Sequence, residues 1–265
     1  MPKKVTFFKD KVIIVTGASS GIGKSLALRF SHHGARVILA SRNAAKLEDL
    51  ANLIKSSGNE DVIFVQTDVS AEKDVIDLIK TTLTKWGRVD ILVSNAGQYI
   101  QGFIKDIDKS DLQKSFDVNF FGSFYSVKEV TPVMAKQGSG HIVFVNTLDS
   151  KKGIIGDGPY VAAKSALDGF ADVLRQEVRE MGIRVLTVYP GRVDTPMIQD
   201  LKVPRISPKI SADKVTDAVV KGILKNKKIV TVPGMFTLLG ALNNLIPGIM
   251  DGFYRIFHIE GEKNI

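Results

Sequence analysis

The sequence predicts an α/β protein: a single domain around a doubly wound parallel sheet, with a hydrophobic helical extension at the C-terminal end. Three observations predict it. From residue 11 onward, short apolar runs rich in β-branched residues alternate with longer stretches of helical periodicity. The runs are apolar throughout rather than alternating, as strands covered on both faces require. The first run ends in glycines that open straight into a helix, and no repeat or low-complexity linker divides the 265 residues. Right-handed crossovers then place helices on both faces, and ligands bind beyond the carboxyl ends of the strands.

Each element follows in order. Val12–Thr16 is the first strand, and 23–33 is a helix with Ile22, Leu26 and Phe30 at helical spacing. A strand at 37–40 precedes a helix at 44–54, whose Leu47, Leu50 and Leu53 or Ile54 face inward. Val62–Gln66 is the third strand, followed by a helix through Ile76 and Ile79 and by the strand Ile91–Ser94. One long helix is predicted over 109–134, then a strand at 142–145, a helix at 160–181 and a strand at 185–188. Ala212–Leu224 reads as a helix and Ile229–Val232 as the last strand.

Composition narrows the function. A net charge of +8 and a pI near 9.5 suit an anionic partner such as nucleic acid, an acidic membrane surface or a phosphorylated ligand. The lysines are spread along the whole chain and no basic block carries aromatic residues, so no nucleic-acid partner is expected. The absence of cysteine excludes disulfides, thiolate catalysis and cysteine zinc sites. His32, His33, His141 and His258 have no metal-ligand spacing, and no metal site is expected. The first ten residues hold no apolar run of signal-peptide length, which points to a cytoplasmic protein.

Residues Thr16-Gly17-Ala18-Ser19-Ser20-Gly21-Ile22-Gly23 form the glycine turn. Glycines let the backbone approach a pyrophosphate, and the helix start supplies oriented N–H donors. A glycine cluster can also be only a tight turn, but its place between the first strand and helix favours phosphate binding by Gly17, Ser19, Ser20, Gly21, Ile22 and Gly23. At the tip of the second strand, a carboxylate would grip ribose hydroxyls and a base would pair with a 2′-phosphate. The chain has Ser41-Arg42 and no acid there. Arg42 also reads as an ordinary surface arginine. With Ser41 and Ser20 as added donors, the expected cofactor is NADP(H).

Taken together, these motifs resemble the short-chain dehydrogenase/reductase family, with its Rossmann-type fold, over residues 10–197. The family's adenine-contacting aspartate motif is matched by Asp68-Val69, and its strand-end motif by Asn95-Ala96-Gly97. Asn119 matches the helix asparagine, and Tyr160 and Lys164 match Tyr-x-x-x-Lys. Pro190-Gly191 matches the Pro-Gly turn, with Val193 and Thr195 where the family contacts nicotinamide and phosphate. One position departs: Thr147 occupies the place of the usual serine, thirteen residues before Tyr160. Threonine keeps the hydroxyl, while its methyl restricts χ1 and narrows the site. Asp149 and Ser150 lie close enough in sequence to supply polar contacts, although loop chemistry is the simpler account of both.

The resemblance implies interconversion of a carbonyl and an alcohol, which needs a hydride on carbon and a proton on oxygen. Tyr160 is the expected acid/base. Lys164, at i+4 on the same predicted helix face, is expected to lower its pKa and reach the nicotinamide ribose. Thr147 would orient the substrate oxygen, and Asn119 would hold a water linking Lys164 to solvent, a role taken from the family. The resemblance also implies a homo-oligomer.

Residues 196–211 are expected to form a substrate lid. The segment 234–258 is hydrophobic but interrupted by Asn243, Asn244 and Pro247. It reads as a core or interface helix, as a peripheral membrane contact at the entrance for a lipophilic substrate, or as a spanning helix. The tail is similar to that of reductases acting on long-chain keto compounds, such as 3-ketosphinganine reductases, which favours a lipophilic small-molecule ketone. Two other readings stay open: a non-catalytic NADPH-binding redox sensor or scaffold, and a membrane-associated structural protein.

Overall fold

The computed structural model describes residues 5–201 and 208–234, with positions 246, 248, 249 and 252 besides. Most of the segment 234–258, with Phe253, Tyr254, Ile256, Phe257 and His258, lies outside the described residues, as does 202–207 within the expected lid.

Among the described residues, seven strands form one sheet: β1 (Val12–Thr16), β2 (Arg36–Ser41), β3 (Val62–Gln66), β4 (Ile91–Ser94), β5 (Gly140–Val145), β6 (Ile183–Pro190) and β7 (Ile229–Val232). All pairings are parallel, in the order β3-β2-β1-β4-β5-β6-β7. The helices are α1 (Gly21–His32), α2 (Ala44–Ser56), α3 (Glu72–Trp86), α4 (Lys109–Phe116), α5 (Gly122–Gln137), α6 (Gly158–Glu177) and α7 (Ala212–Leu224).

Successive side chains of a strand point to opposite faces, and the continuous apolar runs therefore build two cores. Ile13 and Val15 face Leu26 and Phe30 of α1, Leu47 of α2 and Val219 of α7. Val12 and Ile14 face the other way, toward Leu78 of α3, Val130 of α5 and Leu167 of α6. This is the doubly wound arrangement expected from the sequence. The chain winds outward from β1 to β3, then returns to pair β4 with the free side of β1. The segments leaving β1 and β4 therefore diverge, and a cleft opens at the carboxyl ends of the strands.

The long helix expected over 109–134 is not continuous. A π-helical turn at Asp117–Phe121 separates α4 from α5. The side chain of Asn119 enters this turn and takes up the backbone carbonyl of Ser115, four residues earlier, at 3.0 Å. A side chain that inserts itself into the helical ladder forces such a bulge. The helix expected over 160–181 starts earlier, at Gly158, and ends at Glu177, followed by a 3-10 turn at Arg179–Met181. Of the expected lid, Pro196–Ile198 forms a 3-10 turn, and Val193 pairs with Ile210 through an isolated bridge. Among the described residues, no helix is long and apolar enough to cross a membrane.

Candidate active site

The cleft at the carboxyl ends of β1, β4, β5 and β6 gathers nearly all of the residues singled out from the sequence. Gly17, Ser19, Ser20, Gly21 and Ile22 line one end, with Ser41, Arg42, Asp68 and Val69. Thr195 stands against Gly21 at the same end. Asn95, Ala96 and Gly97 line the middle, and Thr147, Tyr160, Lys164, Pro190, Gly191 and Val193 line the remainder. Gly23 and Asn119 stand behind the cleft wall.

The glycine turn has the shape an anion needs. Gly17 and Gly21 have positive φ angles of 66° and 53°. A Cβ on Gly23 would lie 2.2 Å from the Gly17 carbonyl oxygen, and one on Gly21 would lie 2.8 Å from Thr195 Cγ2. Ser20 begins α1 without a side-chain cap hydrogen bond, so the first-turn N–H groups and the positive end of the dipole face the cleft. The turn is fastened from below. Thr16 Oγ1 accepts from the backbone N–H of Asn95 at 3.0 Å and of Ala96 at 3.1 Å, and Asn95 Nδ2 donates to the Thr16 carbonyl at 2.9 Å. The Asn95 side chain therefore joins β4 to the glycine turn.

At the tip of β2, Arg42 is exposed, and its carbonyl accepts from Gln66 Nε2 at 3.1 Å. Ser41 Oγ accepts from the Asn43 N–H at 3.3 Å, and Asn43 caps α2 by accepting from Lys46 N at 3.0 Å. The Asp68 carboxylate closes a local turn by accepting from the N–H and hydroxyl of Ser70 at 3.0 and 2.7 Å. Val69 packs on Gly122, where a Cβ would come within 2.7 Å of Val69 Cγ2. These residues fit an adenosine end with no carboxylate at the β2 tip. A basic side chain stands there instead.

At the other end, β5 runs into Thr147 and a 3-10 turn at Leu148–Ser150. Thr147 Oγ1 donates to Asp149 Oδ2 at 3.0 Å and accepts from the Asp149 N–H at 3.2 Å. Tyr160 and Lys164 rise from the first turns of α6. Lys164 is 3% exposed; its Nζ donates to the Val145 carbonyl at 3.0 Å and lies 6.0 Å from the centre of the Tyr160 ring. Burial lowers the Lys164 pKa to about 8. Burial pushes the Tyr160 phenol above its usual value, and the charges of Asp149 and Asp157 add to this, against a hydrogen bond with Thr147. Lys164 is not among the groups that shift the phenol in this structure; burial and the two carboxylates set the direction, opposite to the expected lowering.

Asn119 is fully buried. Its Nδ2 donates to the Gln98 carbonyl at 2.8 Å and its Oδ1 accepts from the Gln98 N–H at 3.1 Å. The π turn therefore holds the segment after β4, including Gly97, against the cleft floor.

Sequence reasoning missed a polar group around Tyr160. Tyr99 stacks edge-on against it, with ring centres 5.0 Å apart. The Tyr99 hydroxyl donates to Asp157 Oδ1 at 2.7 Å, as does Gln101 Nε2 at 2.9 Å. Arg192 lines the same end, with Ile154, Met197, Ile198 and Leu201 as its apolar wall. An acid in front of Gly158-Pro159 at a helix start was the available signal for Asp157, but nothing local pairs it with Tyr99.

A family model described as short chain dehydrogenase matches residues 11–205. A relative in Staphylococcus epidermidis, described as an uncharacterized oxidoreductase, is 32% identical over 212 residues, covering 80% of this chain and 90% of its own. Another so described, from Staphylococcus saprophyticus, is 35% identical over 196 residues, covering 72% of this chain and 82% of its own. A short chain dehydrogenase/reductase from Burkholderia phymatum, solved with NAD, has the same fold with a TM-score of 0.82 at 24% identity, over 91% of this chain and 95% of that one. A 3-ketoacyl-(acyl-carrier-protein) reductase from Brucella melitensis, solved with NADH, gives 0.79 at 24% identity, over 85% and 97%. The order of the motifs, the cleft they build and these matches agree: the chain belongs to the short-chain dehydrogenase family.

Proposed function

We propose that the protein is an NADP(H)-dependent oxidoreductase that interconverts a ketone and a secondary alcohol, with Tyr160 as general acid/base and a lipophilic small molecule as substrate. The observation that carries this reading is the convergence of Thr147, Tyr160 and Lys164 at one end of a cleft whose other end is the glycine turn. A bound reduced dinucleotide supplies the hydride. Gly17, Ser19, Ser20, Gly21 and Ile22 would hold its pyrophosphate, and Thr195 stands against Gly21 to close the same turn.

Tyr160 supplies the proton. Burial and the charges of Asp149 and Asp157 keep the phenol protonated. To give that proton to a carbonyl oxygen as the oxygen gains charge, it relies on the nearby Lys164 cation to support the phenolate left behind. Thr147 supports this oxygen from β5. Lys164 carries its charge to the cleft floor, where its Nζ donates to the Val145 carbonyl and would donate to a ribose hydroxyl of the bound dinucleotide. Support for NADP(H) is the arginine at the β2 tip, since a guanidinium binds phosphate through charge-assisted hydrogen bonds. Support for a lipophilic substrate is the wall of Ile154, Met197, Ile198 and Leu201.

The test is oxidation of NADPH and NADH at neutral pH against carbonyls ranging from small diketones to steroids and long-chain keto esters, with Tyr160→Phe as control. Turnover faster with NADPH, reduced about 10²–10⁴-fold by the substitution with dinucleotide binding kept, is the expected result. Tight NADPH binding without turnover of any carbonyl overturns it in favour of a sensor.

A further inference from the structure

The hydroxyl of Thr147 has one hydrogen and two claimants. Asp149 Oδ2 takes it at 3.0 Å, while the Asp149 N–H fills one lone pair of the same oxygen at 3.2 Å. On the cleft side stand the Tyr160 phenol, which also hydrogen-bonds Thr147, and the position a substrate oxygen must take to receive Tyr160's proton. A hydrogen bond to a carboxylate is about twice as strong as one between neutral groups. An ionised Asp149, which itself lines the cleft, therefore holds the hydrogen on its own carboxylate and away from a substrate oxygen.

We propose that Asp149 is a positioning residue: its protonation state decides whether Thr147 donates its hydrogen to the substrate carbonyl or withholds it. When protonated, Asp149 donates to Thr147 Oγ1, and the Thr147 hydrogen turns toward the substrate oxygen. Tyr160 remains the proton donor, and no proton leaves Asp149 in the step. When ionised, Asp149 accepts from Thr147, and its charge also opposes the phenolate left on Tyr160. Both effects favour reduction with Asp149 protonated. The inference rests on the carbonyl-reductase reading and adds a group that sets its pH range.

The surroundings place this change in an accessible range. Burial and the charge of Asp157 raise the Asp149 pKa to about 6, against the Thr147 hydrogen bond and the charge of Arg192. Among the described residues, four charged or titratable groups face the carboxylate. They are Asp157 from the start of α6, Arg192 from the turn after β6, Tyr160 on α6 and Tyr99 from the segment after β4. Of these, Asp157 is itself raised by burial and held by Tyr99 and Gln101. The turn carrying Asp149 is fixed to α6 and β6, since Lys151 pairs with Asp168 and the Tyr189 hydroxyl donates to the same carboxylate.

The test is kcat/KM for carbonyl reduction from pH 5 to 9 in the wild type and in Asp149→Asn, whose amide donates to Thr147 at every pH. The wild type is expected to lose activity as pH rises through about 6. The variant is expected to lack that limb and to exceed the wild type at pH 8, by up to about a hundredfold for two pH units. An unchanged limb, or a variant that binds dinucleotide normally and is inactive at every pH, overturns the inference. A second measurement stands apart from turnover: the ¹³C carboxyl titration of Asp149 by NMR in cofactor-free protein. Thr147→Val should raise its midpoint and Thr147→Ser should leave it in place; no shift in the valine variant overturns the coupling. If the wild type reduces no carbonyl, the proposed function fails while this titration still decides the Thr147–Asp149 relation.

Discussion

The Lys164 ammonium donates to the Val145 carbonyl at 3.0 Å, so the buried cation is anchored on the last residue of β5 rather than on the Tyr160 ring, whose centre is 6.0 Å away. Its depressed pKa has a consequence for stability. The folded chain holds Lys164 at about 8 against 10.5 in the unfolded chain. Below pH 8 both states bear the proton and the burial penalty is at its full size. Between these values the unfolded chain binds more protons, so stability rises with pH. Denaturant unfolding of the cofactor-free protein from pH 8 to 10 should show a gain of up to about 2–3 kcal/mol that Lys164→Met lacks. Parallel profiles for the two proteins would contradict this.

Arg42 stands exposed where β2 ends without an acid. Arg42→Ala should lower kcat/KM for NADPH by about 10–100-fold, the worth of one or two charge-assisted hydrogen bonds, and change that for NADH by less than about threefold. An equal loss with both dinucleotides would show that Arg42 does not read the 2′-phosphate.

Two helical glycines make opposite predictions. A Cβ on Gly23 would meet the Gly17 carbonyl oxygen at 2.2 Å, whereas one on Gly169 meets nothing within 4 Å. Gly23→Ala should destabilise the fold by about 1–3 kcal/mol and weaken dinucleotide binding. Gly169→Ala in α6 should stabilise by about 0.5–1 kcal/mol with binding unchanged. Thermal unfolding and a dinucleotide titration distinguish the two.

Asn119 is the hinge between the π turn and the segment after β4. Asn119→Ala leaves the Gln98 N–H and carbonyl without their partner, at a cost of about 1–3 kcal/mol. Slower reduction is expected together with faster amide exchange over 97–99. Activity lost without any change in that exchange would speak for a direct role instead.

Much of this architecture was legible in the letters. The strands are continuous apolar runs because both faces are covered, and the glycine turn follows from its place between β1 and α1. Tyr160 and Lys164 share a helix face by spacing alone. The interrupted helix was not legible, since 109–134 has unbroken helical periodicity. At the π turn the Asn119 side chain takes up the Ser115 carbonyl and also binds Gln98, a residue of another segment. The lowered pKa expected for Tyr160 failed for a similar reason. Spacing puts Lys164 on the same helix face, but does not show the burial of the phenol or the charges of Asp149 and Asp157 that raise its pKa.

The sequence by itself determined the doubly wound sheet, the glycine turn between β1 and α1, and the shared helix face of Tyr160 and Lys164, the side chains proposed to react. Periodicity, turn chemistry and i, i+4 geometry are relations between near neighbours in the chain. Only the tertiary structure decided what surrounds Tyr160. Tyr99 and Asp157 are 58 residues apart and meet at 2.7 Å, and a pKa depends on such distances and on burial, which exist only after the chain has closed on itself.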